Sequence, residues 1–379
     1  MLQEIKPQQV AKKEVAEKNY TWEQYRAIPR NSYSTLSAFL KDRKAYYKKY
    51  ILKEKADDDS NPYFVYGSLV DSMVFTPAET KLRFYVFSGS EPAPQMQTYC
   101  RNLLKRYFEN QNSPKKESIK VLMQYAYDDT KMDATGEVVA FKKQDFAKTF
   151  KRFFAECKEY FRALTLGHMG LNIINLYDYN RAEYAVKSLM NSKAIGSILS
   201  LHTNERYTVY RQLVVLYTVN GMELKSMMDL VIVDHFLRKV FVYDLKTSHN
   251  VEEFEICFVK FNYYVQLGCY TIAIIHWMKE NGYTDYTLEP LSFIVVDNQN
   301  YMQPMLYHTT IQTLAASLLG FTYNNKKIPG VLQTISDLKW HLTSGVWTMA
   351  KNNYKRGGVA WIDLKQSNTS DDTLSLEIA

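Results

Sequence analysis

Asp229, Asp244 and Lys246 stand on either side of a short polar break, centred on His235 to Leu237, between two apolar, β-branched runs. Such a pattern predicts a β-hairpin. Symmetric pairing about that centre sets Asp229 opposite Asp244, with Cβ atoms ~5 Å apart. Alternation along the second strand sends Asp244 and Lys246 to one face and Leu245 to the other. Two facing carboxylates repel, so the pairing holds only with positive charge between them. A divalent metal is the simplest such charge: hard oxygen ligands suit Mg²⁺, and Leu245 can add its backbone carbonyl. The plainer reading, ordinary strand-end aspartates and a solvated lysine, suits any one of these residues better than it suits all three together.

The elements that must position these groups follow from periodicity. A strand over 207–217 precedes a tight turn at Asn220 and Gly221, and the hairpin follows. A long helix over 252–277 comes next, with Gln266 and Tyr270 one turn apart on a shared face. Residues 291–297 read as a further buried strand. Upstream, 95–199 is mostly helical, with a hairpin or loop near 128–136, and 181–195 reads as one amphipathic helix containing Glu183, Leu189 and Met190. Around Gly67, Ser68, Leu69, Met73 and Val74 the pattern is a short buried helix ending near Pro77. Asp71 falls inside that apolar pattern, where a carboxylate is costly unless paired or metal-bound; a capping or exposed aspartate is the competing reading.

Near the start, Ser32 or Ser34 caps a helix with a Leu36, Phe39 and Leu40 stripe. Lys41, Arg43, Lys44, Lys48 and Lys49 cover its remainder, a surface suited to a phosphate backbone or simply to water. The order of helices, three antiparallel strands, a helix and another strand predicts a mixed α/β core with helical additions. The division expected is a polar arm over 1–30, a helical region over 31–200 with a metal-site helix near 67–75, a catalytic core over 201–310, and a C-terminal helical region with a polar tail over 311–379.

The totals are permissive. The chain has 379 residues, 46% of them apolar, and a formal charge of +7, which fits a polyanionic partner without demanding one. Tyr 30 and Phe 19 are more informative, since rings among lysines serve base stacking, although most rings are expected in the core. Cys100, Cys157, Cys257 and Cys269 form no CxxC pair, which argues against a zinc knuckle or iron–sulfur cluster. The start lacks an apolar leader, and the longest apolar run, around Tyr270 to Met278, is too short for a bilayer, so a reducing cytoplasm is the expected compartment and no membrane the expectation.

With these residues in hand, the chain resembles the PD-(D/E)XK nuclease superfamily, most closely its RecB-type and phage exonuclease branch, exonuclease VIII-like. The motif is an aspartate at a strand end, matched by Asp229, then an acidic-x-Lys triplet, matched by Asp244, Leu245 and Lys246. The branch's Gln-x-x-x-Tyr helix is matched by Gln266 and Tyr270. Residues 32–47 and the Gly67 to Asp71 segment look like its N-terminal helices, so the resemblance spans about 31–300. Met228 stands where the superfamily's name has proline, and Asp71 where the branch usually has a metal-ligating histidine. Glu183 and Glu205 are candidates for an upstream glutamate found in some members. A second Asp-Leu-Lys, Asp363 to Lys365, lacks a matching upstream aspartate and is expected to be structural or disordered.

The resemblance implies a restriction-endonuclease-like mixed sheet with helices on both sides and an N-terminal helical extension. It implies Mg²⁺-dependent hydrolysis of DNA phosphodiesters, with Mn²⁺ able to substitute, by an exonuclease of phage-type recombination, repair or degradation. Asp71, Asp229, Asp244 and the Leu245 carbonyl would hold the metal, and Lys246 would orient or deprotonate water, a role needing a depressed pKa or close metal positioning. Gln266 and Tyr270 would position the strand. The implied partners are DNA, a single-strand annealing recombination protein and further copies of the chain. An endonuclease of the same fold and an inactive DNA-binding or assembly protein are the alternatives.

Overall fold

In the structure, a computed structural model, residues 20–54, 62–133, 135–142 and 144–359 are described. Most of the expected polar arm and the second Asp-Leu-Lys at Asp363 to Lys365 lie outside them.

The N-terminal part is more segmented than its sequence pattern suggests. A helix α1 (Trp22–Ala27) falls where only arm was expected. The basic helix is split into α2 (Tyr33–Lys41) and α3 (Arg43–Tyr46), because the Asp42 carboxylate accepts the Lys44 and Ala45 amides at 2.7 and 3.1 Å and starts a new helix. Two of its tyrosines pack inside the protein: Tyr46 and Tyr47 stack on Trp347 with ring centroids 5.8 and 5.0 Å away. The helix around Asp71 is α4 (Pro62–Phe75), longer than expected, followed by α5 (Pro77–Arg83). Strand β1 (Phe84–Phe87) then leads to α6 (Pro94–Asn112), α7 (Ile119–Lys131), α8 (Phe146–Arg152) and α9 (Lys158–His168). These helices close around a core of their own that contains Tyr99, Leu103, Met123 and Phe153. Strand β2 (Asn172–Asn175) pairs in parallel with β1, a small sheet the helical pattern concealed.

The expected single helix over 181–195 is two, α10 (Leu176–Asn191) and α11 (Lys193–Leu199). Gly196 permits the sharp junction, since a Cβ there would meet the Met190 carbonyl oxygen at 2.2 Å.

The main sheet begins with β3 (Tyr207–Val219), β4 (Met222–Asp234) and β5 (Lys239–Ser248), an antiparallel meander. Asn220 and Gly221, with φ of 50° and 73°, form the first turn as expected. Helices α12 (Phe254–Lys260) and α13 (Tyr263–Glu280) carry the chain across the sheet. They replace one long helix, because Asn262 adopts a left-handed φ of 59° between them. After the short β6 (Thr287–Leu288), β7 (Ser292–Asp297) lies parallel to β5, and β8 (Met305–His308) returns antiparallel. The order is β3-β4-β5-β7-β8, a mixed sheet within a mixed α/β fold.

The C-terminal part interrupts its helices α14 (Ile311–Leu319), α15 (Val331–Ser344) and α16 (Lys351–Lys355) with a hairpin, β9 (Gly320–Tyr323) and β10 (Lys326–Pro329), where only helix was expected. Alternation divides the sheet cleanly. Val231, Val233, Val240 and Val242 pack with α13, α2 and α15 on one face, while Leu230, Ile232, Tyr243 and Leu245 pack with α4, α10 and α11 on the other. No helix among the described residues is long and apolar enough to cross a membrane.

Candidate active site

The hairpin closes through Asp234↔Lys239, and its ladder runs back to Leu230↔Tyr243, where it stops. The next step of that register would set Asp229 opposite Asp244. Instead the sheet forks there: β4 continues along β3 to Met222, while β5 continues along β7 to Ser248. In place of a backbone pair, the Leu245 N–H donates to Asp229 Oδ2 at 2.8 Å. The two aspartates therefore share the notch of the fork, bridged by the backbone of the residue between Asp244 and Lys246.

The other side of Asp229 is interrupted as well. β3 pairs with β4 at Arg211↔Leu230 and Leu213↔Met228, but Gln212 between them adopts φ 55°. A non-glycine residue costs about 1–3 kcal/mol in such a conformation, and its persistence mid-strand marks a place where surrounding structure imposes it. The effect is to send the Gln212 amide toward α4, where Nε2 donates to both Asp71 oxygens at 3.2 Å. Asp71 reaches the fork because α4 packs closely on β5: Gly67, one turn earlier on the same face, has no Cβ, and one built there would lie 3.2 Å from Thr247 Oγ1.

From the opposite face α13 supplies the two expected residues. Gln266 Nε2 donates to Asp244 Oδ1 at 2.6 Å, and the Tyr270 hydroxyl donates to the Met227 carbonyl at 2.5 Å, fixing α13 against β4. Both side chains are buried, so they hold protein groups in place. Lys246 forms an ion pair with Asp244 and lies 5.1 Å from the Tyr263 ring centroid.

The charges are strongly interdependent. Burial raises the Asp71 acid to about 7, with Arg83 opposing and Asp244 adding to the rise. Burial also lifts Asp229 well above the usual carboxylate range, reinforced by Asp244 and Asp71. Asp244 is likewise raised by burial, against the pull of the Lys246 ammonium. Burial alone would lower Lys246, but the Asp244 carboxylate overrides it and holds the amine above its ordinary value. In this arrangement the Asp244 carboxylate favours the charged form of Lys246.

Among the described residues, no three His, Cys, Asp or Glu side chains form a ready-made metal cage. The donors nevertheless suit a hard dication. All are oxygens, and two buried amide oxygens at the site, Gln212 Oε1 and Gln266 Oε1, have no hydrogen-bond partner among the described residues. The Leu245 carbonyl receives the Lys246 ammonium at 3.4 Å.

Two residues at the site went unnoticed in the sequence. Gln212 sits in an ordinary strand pattern, and only its backbone strain singles it out. Arg83 ends α5 with its charge bearing on Asp71 and its guanidinium 5.2 Å from the Trp22 ring, and its buried Nε has no partner among the described residues. Glu183 and Glu205, the candidate upstream glutamates, are both exposed, and it is Gln212 that faces the cluster.

No family model matches the chain, and no curated protein does. Among solved structures it is similar to a candidate exonuclease from Eubacterium rectale, with 13% identity and a TM-score of 0.41 over 90% of this chain and 88% of that one. At that distance the likeness assigns no activity.

Proposed function

We propose that the chain is a metal-dependent deoxyribonuclease, most specifically an exonuclease of phage-type DNA recombination or repair. The observation that carries this is the forked sheet, which brings Asp71, Asp229, Asp244 and Lys246 from three elements into one partly buried cluster. Three buried acids, each raised above its ordinary value and crowded beside one ammonium, are the kind of perturbed cluster that marks a functional site. The site residues quoted from the sequence for a PD-(D/E)XK nuclease are the same ones.

In this reading Asp71, Asp229, Asp244 and the Leu245 carbonyl hold Mg²⁺ or Mn²⁺, which when bound supplies Lewis-acid polarisation of the phosphate and a more acidic water. Lys246, ion-paired with Asp244, would stand beside the held metal with its ammonium available to a phosphate oxygen. As a cation Lys246 offsets the charge that develops on the phosphate oxygens and orients the attacking water. Gln266 holds the Asp244 carboxylate at a fixed angle, and Tyr270 fixes the helix that carries Gln266. Arg83, 5.2 Å from the Trp22 ring, adds positive charge that favours the ionised, metal-ready form of Asp71.

The test is a gel of end-labelled linear duplex with and without Mg²⁺. Shortening from an end only with metal, together with an intact covalently closed circle, is the expected result; nicking of the circle would instead identify an endonuclease. Asp244→Ala and Lys246→Ala should each lower cleavage at least ~100-fold, the scale of losing a charge-stabilising group, while both variants still bind DNA. Full metal-dependent activity in both would refute the proposal.

A further inference from the structure

We infer that the outer face of α10 is a pocket for one unpaired nucleobase of a DNA strand. This deepens the nuclease reading and rests on it for the identity of the polymer. A cavity of about 270 Å³ is lined by Tyr177, Asn180, Arg181, Tyr184 and Asn300. Tyr177 and Tyr184, two turns apart on the same helix face, are 68% and 58% exposed, so their rings are available to a ligand.

Arg181 forms the fixed part of the wall. Its guanidinium lies 4.7 Å from the buried Tyr66 ring and 5.4 Å from the Tyr177 ring. One edge donates to Asp178 Oδ1 at 2.9 Å and another to the Asn298 carbonyl at 2.5 Å. A planar cation pinned this way presents a stacking surface, but Asp178 has already neutralised it, so the pocket favours a flat, neutral ligand over a phosphate. Buried asparagine amides close the wall behind it. Asn300 donates from Nδ2 to the Arg181 carbonyl at 3.1 Å while its Oδ1 has no partner among the described residues. Asn298, 91% buried by its 9% exposure, likewise has an unpartnered Oδ1. Exposed aromatic faces beside a flat guanidinium are the chemistry that stacks a purine or pyrimidine ring.

The wall of the pocket is joined to the elements that carry the acid cluster. Tyr66 lies on α4 five residues before Asp71, ~7.5 Å along the helix axis at ~1.5 Å per residue. The Asn298 amide donates to the carbonyl of Ser248, two residues past Lys246, at 2.9 Å. A base held on α10 would set the register of the phosphate presented to the fork.

The experiment is a fluorescence anisotropy titration of the full chain in EDTA, so that cleavage plays no part, with a labelled single-stranded oligonucleotide and with an abasic one of equal length. The intact strand should bind at least ~10-fold more tightly, and that ratio should fall by roughly 10-fold in Tyr177→Ala and Tyr184→Ala, stacking on one ring being worth ~1–3 kcal/mol. Tyr184→Phe should keep the ratio, and the salt dependence should be the same in all variants. Equal binding of the two strands by the wild type, no binding of either, or an unchanged ratio in both alanine variants would overturn the inference. Competition by free deoxyadenosine monophosphate at concentrations equal to the oligonucleotide would also overturn it, by marking a free-nucleotide site. A chain that shows this base dependence yet cleaves nothing with Mg²⁺ keeps the pocket and loses the nuclease; one that cleaves but ignores missing bases does the reverse.

Discussion

Asp71 would be protonated in much of the metal-free protein near neutral pH, because burial raises its acid from an ordinary 3.8 to about 7. A carboxylic acid whose pKa is higher folded than unfolded takes up protons on folding, so its contribution is fully favourable below about pH 4 and is lost as pH rises through about 7. Asp229 and Asp244 shift in the same direction. The melting temperature in EDTA is therefore expected to fall between pH 5 and pH 8, and a flat profile would contradict the buried-acid description. Asp71→Asn should stabilise the metal-free protein at pH 8 by on the order of 2 kcal/mol, as each pKa unit corresponds to about 1.4 kcal/mol and the solvent reaching this half-buried group reduces the total. The same variant should lose cleavage, so that stability and activity move in opposite directions. Asp229, Asp244 and Lys246 were legible from sequence because hairpin symmetry and strand alternation are simple integer rules. Gln212 and Arg83 were not, since a left-handed φ within a strand and a cation arriving from a separate helix leave no periodic trace.

At the scale of elements, the site depends on how closely α4 lies against β5. Gly67 is the contact point, and any side chain there must displace either Thr247 or the helix. Gly67→Val should therefore lower metal-dependent cleavage by more than tenfold, by moving Asp71 away from the fork, while a urea titration shows a loss of only about 1–3 kcal/mol, typical of overpacking. Equal activity in the variant would mean that the position of Asp71 does not matter. The strands were easier to read than the helices for a related reason. The turn at Asn220 and Gly221 and the run of alternating residues through β4 and β5 are local signals, and they gave the meander and its register. The fork was invisible, because it arises where β4 and β5 choose different outer neighbours. Helix breaks at Asp42, Ser192 and Asn262 were missed where apolar periodicity runs straight through them. Each is imposed by a side-chain cap, a close helix packing or a left-handed residue, and in the last case Asn262 also donates to Ser37 at 3.0 Å, tying the break to α2.

Among the described residues, apolar burial falls into three clusters, two on the faces of the sheet and a third within α6 to α9. The first two share the β-strands and should unfold together, whereas the third is joined to them chiefly where α9 rests on β1 and β2. Many of the tyrosines are packed into these cores, as with Tyr99 against Phe141 and Phe153. Such an arrangement departs from a single cooperative transition. Scanning calorimetry in EDTA is expected to resolve two transitions, with the α6 to α9 unit separate from the sheet. A ligand that binds only the folded site stabilises by about 2.7 kcal/mol at a hundredfold excess over its Kd. Mn²⁺ should accordingly raise the transition of the sheet and leave the other unmoved, and Asp244→Ala should abolish that rise. A single transition that Mn²⁺ shifts as a whole would show instead that the helical unit is energetically part of the site, and no shift at all in the wild type would remove the metal from the proposal.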